Sequence, residues 1–343
     1  MKIAIHQSSG SFSDYWITYC KEKKISHKIV NCYDSDIVKK LEDCDAFMWH
    51  HNHANPKDKL FAKQLLYSLE TAGKVVYPDQ RTTWHFDDKL GQKYLLEAME
   101  FPLVPSFAFY SKKDALKWVS TAKFPLVFKL RSGAGSRNVK LVRNKTEAVK
   151  IINRAFGKGF RQYEPWGGIK ENWRKLKLSK ARPIDLLKAI AHLWVPITLE
   201  KAIGRERGYV YFQEFIPDND FDIRVIVINK RAFAIKRSVR KNDFRASGSG
   251  SIQYEKHHFD DSIILTSFRI AKKIKTQCIA FDYVVKGKEQ LILEVSYGFS
   301  KYGYEDCPGY WDEKLKWHEG PFNPYGWLVE DVIYKVNERK NNL

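Results

Sequence analysis

Five charged residues lie inside or beside apolar runs between positions 209 and 245: Glu214, Asp222, Arg224, Lys236 and Arg237. The segments that carry them, YVYFQEFI, IRVIVI and AFAIKRSV, are rich in β-branched and aromatic residues and read as three successive strands. A Pro-Asp-Asn-Asp turn follows the first, and Asn229-Lys230 folds the second back on the third as a hairpin. Charge in such strands is costly unless it is paired or meets an ionic ligand. An internal ion pair explains one such residue. Five within one sheet's span point to an ionic ligand.

A second hairpin, CIAFDYVVKGKEQLILEVSYGF, spans 278–299 and turns at Lys286-Gly287-Lys288. Asp282 sits in its first strand and Glu294 in its second; Ser296, two residues on, leaves the same face as Glu294. Facing carboxylates repel unless a cation lies between them, and a hard ion that also touches phosphate, Mg²⁺ above all, suits such a pair. The competing reading is a carboxylate pair neutralised by the neighbouring cationic strands. Upstream, Lys129 interrupts the apolar strand of FPLVFKLRSGAGSRNVKLV, and the loop Ser132-Gly133-Ala134-Gly135-Ser136 follows. Small residues let backbone N–H groups approach phosphate oxygens. No GKS or GKT follows, so this is not a P-loop, and taken alone it reads equally well as an exposed turn.

In order, QEFI, DFDIRVIVI, AIKRSV, DFR, FDYVV and LILEVS resemble the C-terminal lobe of the ATP-grasp superfamily, and most closely its RimK-like carboxylate–amine ligases. These motifs cover residues 209–299, with weaker matches back to Asp88. The resemblance implies ATP with Mg²⁺ (Mn²⁺ as a substitute) and amide formation through an acyl phosphate. It implies roles residue by residue: Glu214 and Ile216 at an adenine hinge, and Asp222, in preference to Asp220, at the ribose. Lys89, Lys129, Lys236 and the loop residues Ser132, Gly133, Gly135 and Ser136 would line the nucleotide. Arg237 would stabilise the transferred phosphoryl or acyl group, assisted by Arg224 and Arg245, and Asp282, Glu294 and Ser296 would hold the metal. Two positions depart from the family, which usually has Asn where this chain has Ser296 and, in RimK-like members, Asn where it has Ser247. The SYGF-type stretch resembles members associated with bacterial surface-polysaccharide biosynthesis, which implies amidation of an acidic sugar. A peptide or protein-tail ligase and a non-catalytic nucleotide-binding module are the alternatives.

The elements that must position these residues are legible in outline. MKIAIHQS, HKIVNCY, DAFMWHH and KVVYP alternate with helical stretches, the first capped at Ser13 or Asp14, as in a parallel α/β sheet. The expected class is α/β (α+β): a Rossmann-like lobe over 1–87, then a two-lobed ATP-grasp domain. Its small lobe takes 88–208, with a basic insert at about 157–205, and its C-terminal lobe takes 209–343. The loop Ser8–Ser11 lies at the carboxyl end of a strand, where such sheets bind ligands, and is expected to touch substrate. His50, His51 and His53 have no carboxylate or cysteine partner nearby and read as substrate-binding or hydrogen-bonded loop residues rather than metal ligands. The aromatic, Gly/Pro-rich stretch after Tyr297 is expected to fold back over the site.

Composition bounds the partners. A net charge of +19 favours an anionic partner. No RRM, KH or helix-turn-helix pattern is present and the basic residues are dispersed, which argues against nucleic acid. Five scattered cysteines without CxxC spacing argue against a zinc site or a disulfide framework and fit a reducing cytoplasm. No run is long enough to cross a bilayer, so membrane contact through the basic insert would be peripheral.

Overall fold

The computed structural model describes residues 1–133, 138–162, 169, 172, 173, 176, 182–191, 198–239, 251–299 and 303–342. Gly135, Ser136, Arg245, Ser247 and part of the 157–205 insert lie outside the described residues.

The first sheet is parallel, with β1 (Ile3–His6), β2 (His27–Val30), β3 (Ala46–Met48) and β4 (Val75–Tyr77) in the order β2-β1-β3-β4. β1, β3 and β4 are buried throughout, which is why they read as unbroken apolar runs. Alternate residues go to opposite faces. Ile3 and Ile5 pack with Phe12 and Trp16 of the helix Phe12–Glu22, whereas Ala4 and Phe47 pack with Ala62 and Leu66 of the helix Pro56–Thr71. The first helix starts earlier than expected. Ser11 Oγ accepts the Ser13 N–H as the cap, while the Ser13 hydroxyl donates to the Ser8 carbonyl.

The second sheet is antiparallel: β5 (Ser106–Phe109), β6 (Leu126–Lys129), β7 (Lys140–Val142) and β8 (Val210–Glu214) in the order β5-β8-β6-β7. β8, which falls within the expected C-terminal lobe, pairs with β5 and β6. Phe128 and Phe212 point outward under the helices Lys112–Val119 and Lys145–Ala155, leaving Lys129, Tyr211 and Gln213 on the inner face.

The third sheet holds β9 (Phe221–Ile228), β10 (Arg231–Ser238), β11 (Ile252–Gln253), β12 (Cys278–Lys286), β13 (Glu289–Ser296), β14 (Gly309–Asp312) and β15 (Trp317–Glu319). Its main path is β13-β12-β9-β10-β14-β15, with β11 paired to β10. Ile223, Val225 and Val227 face the helix Asp261–Ile274, while Ile226 and Ile228 share a core with the first sheet and the helix Pro324–Asn341. That shared core joins the N-terminal sheet to the large one. Asn229 takes a left-handed φ of 52° in the β9–β10 turn, a conformation Asn tolerates.

Candidate active site

A cavity of about 640 Å³ lies where the three sheets converge. The large sheet supplies most of its charge, through register. Asp222 sits opposite Arg237, Arg224 opposite Asp282, and Asp282 opposite Glu294, so opposite charges meet across β10, β9 and β12 before the two carboxylates face each other. Arg237 holds both oxygens of Asp222 at 2.7 Å and reaches Asp282 Oδ1 at 2.9 Å. Arg224 spans both oxygens of Asp282 at 2.9 and 3.0 Å and donates to the Gly298 carbonyl at 3.0 Å. Burial pushes the Asp282 carboxyl up, but Arg224 and Arg237 outweigh it and hold the pKa below its ordinary value. The same carboxylates outweigh burial at Arg237 and raise its pKa.

The lysines come from the other side. The Asp88 side chain caps the helix Lys89–Ala98, which puts Lys89 at the first helical position. Its Nζ donates to the Gly133 carbonyl at 2.9 Å and lies 3.0 Å from Glu294 Oε1. Burial works against its charge, but Glu294 and Asp87 prevail and raise its pKa. Lys129 donates to the Gln213 side-chain oxygen at 2.6 Å. With an amide as its hydrogen-bond partner, burial lowers its pKa to about 8.

The metal question turns on donor chemistry. Asp282 and Glu294 are both neutralised by basic side chains as they stand, which is the competing reading of this pair. Among the described residues no three His, Cys, Asp or Glu side chains group as a metal cluster. Mg²⁺ needs only one or two protein carboxylates when phosphates and waters complete its shell, and two cross-strand carboxylates fit that requirement. The Ser296 hydroxyl donates to the Gly298 carbonyl at 3.2 Å and accepts its N–H at 3.1 Å, so it holds the following turn and keeps one lone pair. A β-bulge between Asp282 and Tyr283 gives β13 one extra residue, Leu293, and both Leu293 and Glu294 line the cavity.

At the opposite end, Glu214, Phe215 and Ile216 line the cavity directly after β8. The Glu214 carboxylate accepts from Lys286 Nζ at 2.9 Å, and the Glu214 N–H donates to the Pro105 carbonyl at 2.8 Å. The edge is fixed by Val104 N–H donating to the Ile292 carbonyl at 3.0 Å and Ile292 N–H donating to the Pro102 carbonyl at 2.6 Å.

Several expected contacts fall elsewhere. Asp222 has both oxygens on Arg237, so it is an ion-pair partner rather than an open ribose acceptor; Asp218 lines the cavity at that end and Asp220 does not. Lys236 does not line the cavity. Strand alternation turns it to the face away from Arg237, with its ammonium 4.0 Å from the centroid of Phe221. The Ser132 hydroxyl points into the lobe, donating to Glu206 and Gln162, while Gly133 at φ 111° lines the cavity with its N–H on Asp87. The Ser8–Ser11 loop also stays outside. The loop after β3 takes that place with His50, His51 and His53.

Phe299 and Tyr304, from the aromatic stretch expected to fold back over the site, line the cavity, and Phe86 and Asp87 before the lysine helix, which no sequence pattern marks, complete the wall. Gln213, which holds Lys129, was available as a signal, being a polar residue at an inward position of YVYFQEFI.

No family model matches the sequence, and no curated protein matches it. Solved structures do. D-alanine–D-alanine ligase from Bacillus anthracis complexed with ATP superposes with a TM-score of 0.56 at 13% identity, covering 100% of this chain and 98% of that one. A RimK domain ATP-grasp protein from Sphaerobacter thermophilus gives 0.55 at 13% identity, covering 97% and 100%. The ATP-grasp ligase PsnB complexed with minimal precursor, Mg and ADP gives 0.54 at 12% identity, covering 98% of each. The chain has the ATP-grasp fold. Identities of 12–13% establish architecture alone.

Proposed function

We propose that the protein is an ATP-dependent carboxylate–amine ligase. The observation that carries this reading is the meeting, in one cavity, of two buried lysines, two paired guanidinium groups and two facing carboxylates. The fold agrees, since D-alanine–D-alanine ligase and PsnB, solved with ATP or with Mg and ADP, share it.

A nucleotide would lie with its base against the backbone of 214–216 and its sugar toward Asp218. Lys89, Lys129 and the Gly133 loop would meet the phosphates, with Gly135 and Ser136 continuing the loop. Asp282 and Glu294, with Ser296 behind them, would hold Mg²⁺, which supplies charge neutralisation on the phosphate oxygens. A substrate carboxylate oxygen attacks the terminal phosphorus and ADP leaves. An amine nitrogen then attacks the acyl carbon, phosphate departs, and the amide loses a proton. Negative charge builds on the phosphoryl oxygens and then on the acyl oxygen. Arg224 and Arg237 are fixed in place before either step, so they stabilise both without reorganising. Arg245 would assist from the following segment.

The net charge of +19 supports an acidic substrate, and an acidic sugar of a surface polysaccharide is the form we propose. Thermal shift with ATP, with and without Mg²⁺, on wild type and Glu294→Ala tests the core of the reading. Mg²⁺-dependent stabilisation in the wild type, lost in the variant, is the expected result. No stabilisation by any nucleotide would sink the ligase reading.

A further inference from the structure

One wall of the cavity has no role so far. It is the loop after β3, and its neighbours hold it firmly: the His51 ring meets Thr83 Oγ1 at 2.6 Å, and the His51 carbonyl accepts the Tyr297 hydroxyl at 2.9 Å. The His50 ring stacks on Phe12 with centroids 3.8 Å and planes 6° apart. The Phe12 backbone N–H donates to His50 Nδ1 at 3.3 Å. An N–H aimed at Nδ1 leaves no room for a proton there, so the ring is neutral and carries its hydrogen on Nε2. Burial favours the same state and pushes the His50 pKa down to about 3. Nε2 lies 3.5 Å from where a Cβ on Gly298 would be, and the Gly298 carbonyl is held by Arg224. His50 and Arg224 thus flank one residue from two lobes, and both line the cavity. Among the described residues His50 Nε2 has no acceptor, whereas Arg224 Nε is fully buried without one, so the terminal nitrogens of Arg224 are the part a ligand can reach.

We propose that His50 Nε2–H and the Arg224 guanidinium together hold the carboxylate of the acid substrate. This deepens the ligase reading and rests on it. A neutral N–H beside a guanidinium attracts a carboxylate, or the oxyanion that forms when the acyl carbon is attacked, and the guanidinium repels an ammonium ion. The same tautomer excludes His50 as the base for the amine, because Nε2 already bears its proton and Nδ1 is occupied. Specificity for the acid therefore involves the N-terminal lobe.

The test uses the whole chain with Mg²⁺ and ADP and takes acetate as the minimal carboxylate. Ring ¹⁵N spectra should show His50 with its proton on Nε2, and its resonance should shift saturably with acetate. His50→Phe, which keeps the stacked ring and removes the donor, should weaken acetate by about tenfold or more, as loss of a charge-assisted hydrogen bond requires. His50→Gln, which restores a neutral donor, should recover most of the affinity. A proton on Nδ1, no acetate shift in the wild type, or equal acetate affinity in wild type and His50→Phe would each overturn the proposal. Should His50→Phe fail to fold, the wild-type spectra decide alone. ADP·Mg²⁺ binding is measured in the same samples. Its absence from all of them sinks the ligase reading, whereas ADP binding with acetate indifferent to His50 sinks only this inference.

Discussion

On the large sheet, Arg224 and Arg237 are bound to Asp222 and Asp282 through five hydrogen bonds of 2.7–3.0 Å. Across the cavity, Lys129 hydrogen-bonds an amide, and Lys89 shares Glu294 with whatever that carboxylate is to bind. The two regions bury charge by different means. A guanidinium keeps its proton, so its burial requires carboxylates, and cross-strand register supplies them. An ammonium can shed its proton, so a lysine can be buried with incomplete compensation and regain its charge when a phosphate arrives. The first region is a framework set before any ligand binds. The second is completed by one.

The largest effect should come from the framework. Asp282→Asn leaves two buried guanidinium groups short of a carboxylate and should cost about 3–5 kcal/mol of stability in urea denaturation. A loss below about 1 kcal/mol would mean that the arginines re-pair or reach solvent, and the contrast between the regions would dissolve.

Lys129→Met should instead leave the fold intact and weaken nucleotide binding by about ten- to a hundredfold, the value of a hydrogen bond to a charged group. It should also remove the Lys129 contribution to two pH slopes. The native pKa of Lys129 is about 8 against an ordinary 10.5, so between those values the unfolded chain holds a proton the native one has lost. The Lys129 contribution to stability, read as wild type minus variant, should therefore rise with pH across that window while nucleotide affinity falls. Calorimetric titration at several pH values checks both, and a variant that keeps either slope would move its origin to another residue.

The smallest effect sharpens the face assignment. Lys236→Ala should cost about 0.5–1 kcal/mol through its contact with Phe221 and leave nucleotide affinity within about twofold. A large loss of affinity would show that β10 presents both neighbours to the cavity.

Lys236 and Arg237 also show where the sequence ran out. Apolar flanks mark both as unusual, but only register decides which of two adjacent residues faces the ligand. β8 teaches the same lesson on a larger scale. YVYFQEFI is legible as a strand, yet nothing in its alternation says that its partners are β5 and β6, some eighty to a hundred residues upstream. The hairpin turns at Asn229 and Gly287 were legible because positive φ demands particular residues. His50 was visible as a residue and not as a donor. Its tautomer depends on a backbone N–H from another element.

The bulge at Leu293 changes what an insertion or deletion means at this point in the chain. In a regular strand, removing one residue turns every later side chain to the other face. Here the ladder pairs Tyr283 with Ile292 and Asp282 with Glu294, so deletion of Leu293 leaves both pairs opposite each other and takes away an apolar wall together with the carbonyl that accepts the Gln213 amide at 3.4 Å. Shortened by that residue, the strand would keep its carboxylate in the cavity and lose its grip on a flat ring. On the proposed ligase reading, Leu293 is thus one position at which base recognition and metal recognition would separate while the strand register is kept.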